Sequence, residues 1–179
     1  PAVLAFNMSD LARERGLEFD LLLLENFLGA RIVPMVGHKG EGKEALLDAA
    51  AQTAQAGAAK PLHIDYGREL EDEIVKLSAL LEKENAGIAG APLRWTAIKL
   101  LEGDAEVRRR LDNLAVITQA DLARKRIESL LGESAEALVA DRRYGFISGA
   151  CREAVRQTAE SRRNYSDMID AVVTHRLLA

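Results

Sequence analysis

The sequence predicts an α/β segment followed by an all-α domain, and three observations carry that expectation. Two apolar runs of strand length, 2–6 and 31–36, alternate with helical patterns in the first 60 residues, as in a parallel α/β unit. From Arg68 onward the apolar spacing is helical almost throughout. Alanine and leucine are abundant while aromatics make up only 4% of the 179 residues, the balance of a helix-rich protein. The change of pattern falls at Gly57-Ala58-Ala59-Lys60-Pro61 and sets the expected domains at 1–60 and 61–179.

In chain order, the uniformly apolar run 2–6 reads as a strand covered on both faces. Ser9-Asp10 opens a short helical segment over 11–15, stopped by Gly16. Residues 19–28 read as an amphipathic helix with Gly29 as its stop. A second strand over 31–36 leads into a glycine-rich loop, Gly37-His38-Lys39-Gly40-Glu41-Gly42, and a helix over 43–55. Residues 62–66 suggest a short strand ended by Gly67. Leu70, Ile74, Leu77, Leu80 and Leu81 then share one face of a helix running to about Glu84. Pro92 suits a helix start, and Trp95, Ile98 and Leu101 line one side of that helix, with Trp95 expected in the core. Asp104 caps a short helix whose Arg108, Arg109 and Arg110 form a solvated face. Further helices are expected over 120–131, from Ser134 through Val155 with a bend at Gly145 or Gly149, and over 166–178.

Composition narrows the function. A net charge of −4 argues against nucleic acid as the main partner. No apolar run approaches the ~20 residues needed to span a bilayer, and the first residues do not read as a secretory signal. One cysteine, Cys151, excludes an internal disulfide, fits a reducing compartment and is expected to be a small buried residue. The chain starts at Pro1 directly in a strand, so it is expected to be a piece of something longer.

The informative stretch is Phe6-Asn7-Met8-Ser9-Asp10, where the first strand ends in Asn-x-x-Asp. Open α/β sheets bind ligands at the carboxyl ends of their strands. An ionised carboxylate accepts only, and can take two parallel N–H donors at once. Guanine offers such a pair, N1–H and the exocyclic N2–H₂, and adenine does not. Asp10 is therefore a candidate guanine reader and Asn7 a candidate brace for the loop around the base. A wrong base would leave a buried carboxylate unpaired, at a cost of roughly 1–3 kcal/mol. The same four residues also fit an ordinary strand–turn–helix junction, since Asn and Asp are common turn and capping residues.

Gly37-x-x-x-x-Gly42-Lys43 matches most of a phosphate-binding loop, but Glu44 stands where a Ser or Thr should hold magnesium, and a carboxylate there would repel phosphate. The histidines His38, His63 and His175 form no metal-ligand spacing. The pairs Glu41/Glu44 and Glu133/Glu136 read as ordinary partners of helix N-termini. No metal site is expected.

Taken together, the segments resemble one family. Phe6-Asn7-Met8-Ser9-Asp10 resembles the guanine-specificity motif of small GTPases, with Met where most have Lys. Val36 to Gly42 resembles the base-contacting loop, usually Ser-Ala-x-Lys-Gly. The run Leu93-Arg94-Trp95 to Asp104, the run Ala140 to Ile147, Asp167-Met168-Ile169-Asp170 and His175-Arg176 are similar to the cytosolic region of the bacterial ferrous-iron transporter FeoB. The resemblance implies that 1–60 is the C-terminal part of a Ras-like G domain. It implies that 61–179 is a helical bundle resembling a guanine-nucleotide dissociation inhibitor, followed by a membrane domain.

It further implies GTP or GDP as ligand, with Asn7, Met8 and Asp10 and the loop residues Val36, Gly37 and His38 around the base. Met8 would lie along the base face, and the Gly37 N–H would meet the guanine O6. Val36 replaces a serine hydroxyl that often braces the Asp. No true phosphate-binding loop, switch threonine or Asp-x-x-Gly segment is present, so Mg2+ and the phosphates would be held by a part that precedes this one. The intact protein is then expected to be a GTPase and the chain by itself inactive, at the cytoplasmic face of the bacterial inner membrane. Implied partners are its own membrane domain beyond Ala179, small cytosolic Feo proteins and a second copy. The alternative is a helical docking module for partner proteins without nucleotide switching.

Overall fold

The computed structural model describes residues 2–57 and 62–157. They fall into two compact units, one formed by the chain up to His63 with the stretch from Ile147 onward, the other by Ile64–Phe146.

The first unit holds a parallel pair of strands, β1 (Val3–Phe6) and β3 (Arg31–Pro34), in the register Val3↔Arg31 to Phe6↔Pro34. Between them run α1 (Ser9–Glu14), β2 (Leu17–Phe19) and α2 (Leu21–Leu28). Asp20 caps α2 by accepting the Leu23 N–H at 3.0 Å. Glu25 of α2 accepts the Ile32 N–H at 2.7 Å, fixing the turn into β3. A 3₁₀ turn, Gly37–Lys39, and α3 (Lys43–Ala56) follow. Ile32, Val33, Val36 and Ala49 are buried, and Phe6 meets Phe19 edge to face at 4.9 Å.

Three expectations are corrected in this unit. β1 is not covered on both faces, since Leu4 is 40% exposed and Ala5 is exposed beside it. Residues 62–67 form no strand. Phe19, read as the first residue of a helix, is instead the last of β2, which pairs antiparallel with β4 (Val155–Gln157), and the long helix read through Val155 ends at Ala154.

The second unit is helical: α4 (Arg68–Lys83), α5 (Leu93–Glu102), α6 (Ala105–Arg110), α7 (Leu114–Leu131) and the first turns of α8 (Ala135–Ala154). Leu70, Ile74, Leu77 and Leu81 of α4 pack with Leu100 and Leu101 of α5 and Val116 and Ile127 of α7. Each such buried side chain contributes about 1.5–3 kcal/mol. Ala97, Ala120 and Ala123 are fully buried among them, small residues that let the helices approach. Asp104 caps α6 by accepting the Glu106 and Val107 N–H groups, and Asn113 caps α7 by accepting that of Val116. That Asn113 cap starts α7 at Leu114 rather than at Ala120.

Trp95 is not in the core but 43% exposed, because the buried side of α5 is made by Thr96, Ala97, Ile98, Leu100 and Leu101. Cys151 is exposed as well. Arg108 and Arg109 are paired rather than merely solvated, Arg108 with Asp121 through two hydrogen bonds and Arg109 with Glu106. The helix expected over 166–178, the motif residues within it and the linker residues 58–61 lie outside the described residues.

Candidate functional site

The expected base-reading residues come together where β1 and β3 end. Phe6 passes to Asn7, and the Phe6 carbonyl still accepts the Met35 N–H at 2.9 Å, so the two strand ends stay side by side. Ser9 then anchors the β1–α1 turn on the other strand. Its N–H and its hydroxyl both donate to the Met35 carbonyl, at 3.1 and 3.0 Å. Between these fixed points Met8 adopts the left-handed region, φ 60° and ψ 33°, uncommon for a residue with a side chain. The cost is about 1–2 kcal/mol and is met by the bonds on either side. Met8 is 60% exposed, presenting an apolar thioether at the rim of the strand ends.

Two cross-links join this turn to the β3–α3 loop. Asn7 Oδ1 accepts the Gly37 N–H at 2.9 Å, and Asp10 Oδ2 accepts from Lys39 Nζ at 2.9 Å. Asp10 Oδ1 also accepts the Leu11 N–H at 3.0 Å. The Lys39 ammonium beside Asp10 holds its carboxyl below the ordinary value, and Asp10 in turn raises the Lys39 amine. The site therefore carries an ionised acceptor beside an amide side chain that holds the facing loop.

Val36 lies beneath this edge rather than on it, 1% exposed, with its N–H on the Glu41 carbonyl at 3.2 Å. Its apolar side chain packs the loop from below. His38 sits in the 3₁₀ turn and is exposed. The Gly37 N–H, expected to face a base oxygen, is engaged by Asn7. Lys39 and Ser9 were not singled out by sequence reasoning. Lys39 stands at the lysine of the Ser-Ala-x-Lys-Gly pattern, so its position was the available signal; nothing local marked Ser9. Among the described residues no three His, Cys, Asp or Glu side chains gather as a metal site, and no helix is long and apolar enough to cross a membrane.

Comparison with known proteins decides the family. The model for the FeoB cytosolic helical domain matches residues 66–156, and that for ferrous iron transport protein B matches residues 1–50. The chain belongs to the FeoB family. A fusion of Fe(2+) transport protein A with Fe(2+) transporter FeoB from Porphyromonas gingivalis is 33% identical over 99% of this chain and 22% of the relative. The Fe(2+) transporter FeoB of Escherichia coli K12 is 26% identical over 99% of this chain and 22% of its own length. The chain thus spans about a fifth of these curated FeoB relatives. Among solved structures, S. thermophilus NFeoB bound to mGMPPNP superposes with a TM-score of 0.75 at 26% identity, covering 89% of this chain and 58% of that one. A point mutant of the same protein bound to GDP gives 0.74 at 26%, over 87% and 59%. The cytosolic domain of L. pneumophila FeoB gives 0.70 at 25%, over 88% and 58%. The FeoB family accounts for both units, the small parallel sheet and the helices.

Proposed function

We propose that this chain is the base-reading part and helical regulatory domain of a GTP/GDP switch that serves ferrous-iron uptake. The observation that carries the reading is the pair of cross-links Asn7–Gly37 and Asp10–Lys39. They fix an ionised carboxylate and an amide at the carboxyl ends of parallel strands. Asp10 would accept the guanine N1–H and N2–H, with Asn7 holding the loop and the exposed Met8 lying against the ring. Gly37 and His38 would border the base, and Val36 would support their loop from beneath. The GDP- and mGMPPNP-bound neighbours and the relatives described as Fe(2+) transporters support this reading.

In this reading residues 1–60 complete a G domain and 61–179 form the helical domain ahead of a membrane region, on the cytoplasmic face of the bacterial inner membrane. Mg2+ and the phosphates would be held by other parts of the protein, and hydrolysis is not expected of this stretch alone. Nucleotide state would act by shifting a two-state equilibrium that the helical domain passes to the transporter. The fusion in the Porphyromonas gingivalis relative supports small Feo proteins as partners.

The test is titration of the whole protein that carries this chain with GDP and ADP. GDP should bind and ADP should not, and Asp10→Asn should abolish the preference. Equal binding of both nucleotides, or a preference that survives Asp10→Asn, would sink the reading.

A further inference from the structure

We propose that Lys39 is the positioning residue of the base-reading carboxylate: its ammonium holds Asp10 aimed across the two loops. The inference rests on the guanine-reading function proposed above and deepens it. A carboxylate that reads two parallel donors must be fixed about its last bond, or it loses the geometry that separates guanine from adenine. A hydroxyl at position 36 could supply that brace, but Val36 has none and is buried.

The structure supplies another. Asp10 Oδ1 accepts the Leu11 N–H at 3.0 Å and Oδ2 accepts from Lys39 Nζ at 2.9 Å, one brace on each oxygen. An ionised carboxyl group has about four acceptor sites, so it keeps capacity for a ligand beside these braces. Lys39 is itself delivered by the turn that grips Asn7. Its N–H is on the Val36 carbonyl at 3.0 Å, Gly40 turns the chain back at φ 72°, and Gly37 donates to Asn7 in the same turn. One short loop thus sets both the amide and the carboxylate.

Exposure says how the brace works. The Asp10 side chain is 16% exposed and that of Lys39 49%, so the acid is largely covered while the ammonium reaches it from solvent. The other charged groups near the pair are Glu14 of α1 and Glu41 of the loop, both of which favour the protonated lysine. Arg13 of α1 is engaged on the Ser9 carbonyl, and His38 beside Lys39 is exposed. Removing the ammonium leaves the carboxylate with the backbone N–H groups of Leu11 and of Asp10 itself as its braces and lets its carboxyl return toward the ordinary 3.8.

The test uses guanosine and adenosine, which carry no phosphate and so probe the base edge alone, titrated calorimetrically into the whole protein that carries this chain. Wild type should prefer guanosine. Lys39→Met should weaken guanosine by up to about fivefold, the range of a half-exposed ion pair, and leave adenosine unchanged. Lys39→Arg should restore most of the loss. As pH is lowered, Lys39→Met should lose guanosine at a higher pH than wild type, and Lys39→Arg should follow wild type. Guanosine binding that is equal or tighter in Lys39→Met, or an unchanged pH profile, overturns the proposal, because Lys39 would then be idle or a competitor for Asp10. A wild type without preference overturns the guanine reading itself.

Discussion

Arg143 lies with its guanidinium 5.9 Å from the centre of the Tyr66 ring and donates from Nε to the phenolic oxygen at 3.3 Å. Arg94 holds its guanidinium 5.8 Å from the same ring centre. Tyr66 is 5% exposed and belongs to the helical core, so two cations converge on one nearly buried ring. Arg143 also pairs with Glu102, whose other oxygen meets Lys99 Nζ at 2.8 Å. The segment entering α4 is in this way tied to α5 and α8.

Tyr66→Phe keeps the ring and loses the phenolic hydrogen bond, and should cost about 0.5–1.5 kcal/mol. Tyr66→Ala also removes the ring from the core and should cost about 3–5 kcal/mol. Urea unfolding followed by helical circular dichroism separates the two. Equal losses in both variants would mean that the hydroxyl, not the ring, holds this corner.

Glu71 gathers three donors. Its Oε1 accepts the Tyr66 N–H at 3.0 Å and Arg94 Nη2 at 2.8 Å, and its Oε2 accepts Arg94 Nη1 at 2.7 Å. Arg94 Nη2 also reaches the Ile64 carbonyl at 3.1 Å. Glu71→Ala strands a half-covered guanidinium and a backbone donor, and should destabilise by about 1.5–3 kcal/mol. Glu71→Gln, which keeps the shape and an acceptor, should cost less. Denaturation midpoints that coincide for the two variants would contradict a charge-assisted role.

Glu73 makes stability depend on pH. Burial pushes its carboxyl up, but hydrogen bonds from Arg126 and Lys76 outweigh burial and hold it below the ordinary 4.5. A group with a lowered folded value stabilises fully above its unfolded value, and that contribution fades as pH falls through the folded one. Stability should therefore drop on acidification below about 4.5. Glu73→Gln should flatten that drop. At neutral pH the variant should lose no more than about 1 kcal/mol, because Arg126 and Lys76 are both over half exposed and screened. Urea midpoints from roughly pH 2 to 7 measure both effects, and an unaltered acid limb in the variant would assign the drop elsewhere.

Periodicity made the long helices legible, because α4 carries its buried leucines at helical spacing and Gly103 and Gly132 mark ends that the sequence announces. β2 and β4 were not legible. Each is three residues long, and Leu17 finds its partner at Gln157, so no local pattern records the pairing. Trp95 misleads because its bulk suggests burial, whereas the neighbouring Arg94 must meet Glu71 and the small residues Thr96 and Ala97 take the inner face. At the candidate site, Asn7 and Asp10 were readable as a motif and Lys39 as a position in the loop pattern, but that Lys39 pairs with Asp10 across two loops is recorded only in the fold.

Two glycines of the β3–α3 loop should respond oppositely to alanine. At Gly37 an added methyl would meet only the Asn7 side-chain amide, with Oδ1 at 3.3 Å, and that amide can give by a few tenths of an ångström. Gly37→Ala should fold normally and change stability by less than about 1 kcal/mol. Gly42 has φ +83°, and a methyl there would stand 2.5 Å from the Pro34 carbonyl oxygen, which is backbone at the end of β3 and cannot swing aside. Gly42→Ala therefore adds left-handed strain to a clash with the strand, for a loss of at least about 2 kcal/mol. It should also loosen the bridge between Val36 and Glu41 that closes the loop beneath the site. Thermal unfolding of both variants, with amide exchange at Val36, tests the pair; a Gly42→Ala protein as stable as wild type would show that the Pro34–Gly42 approach is not fixed.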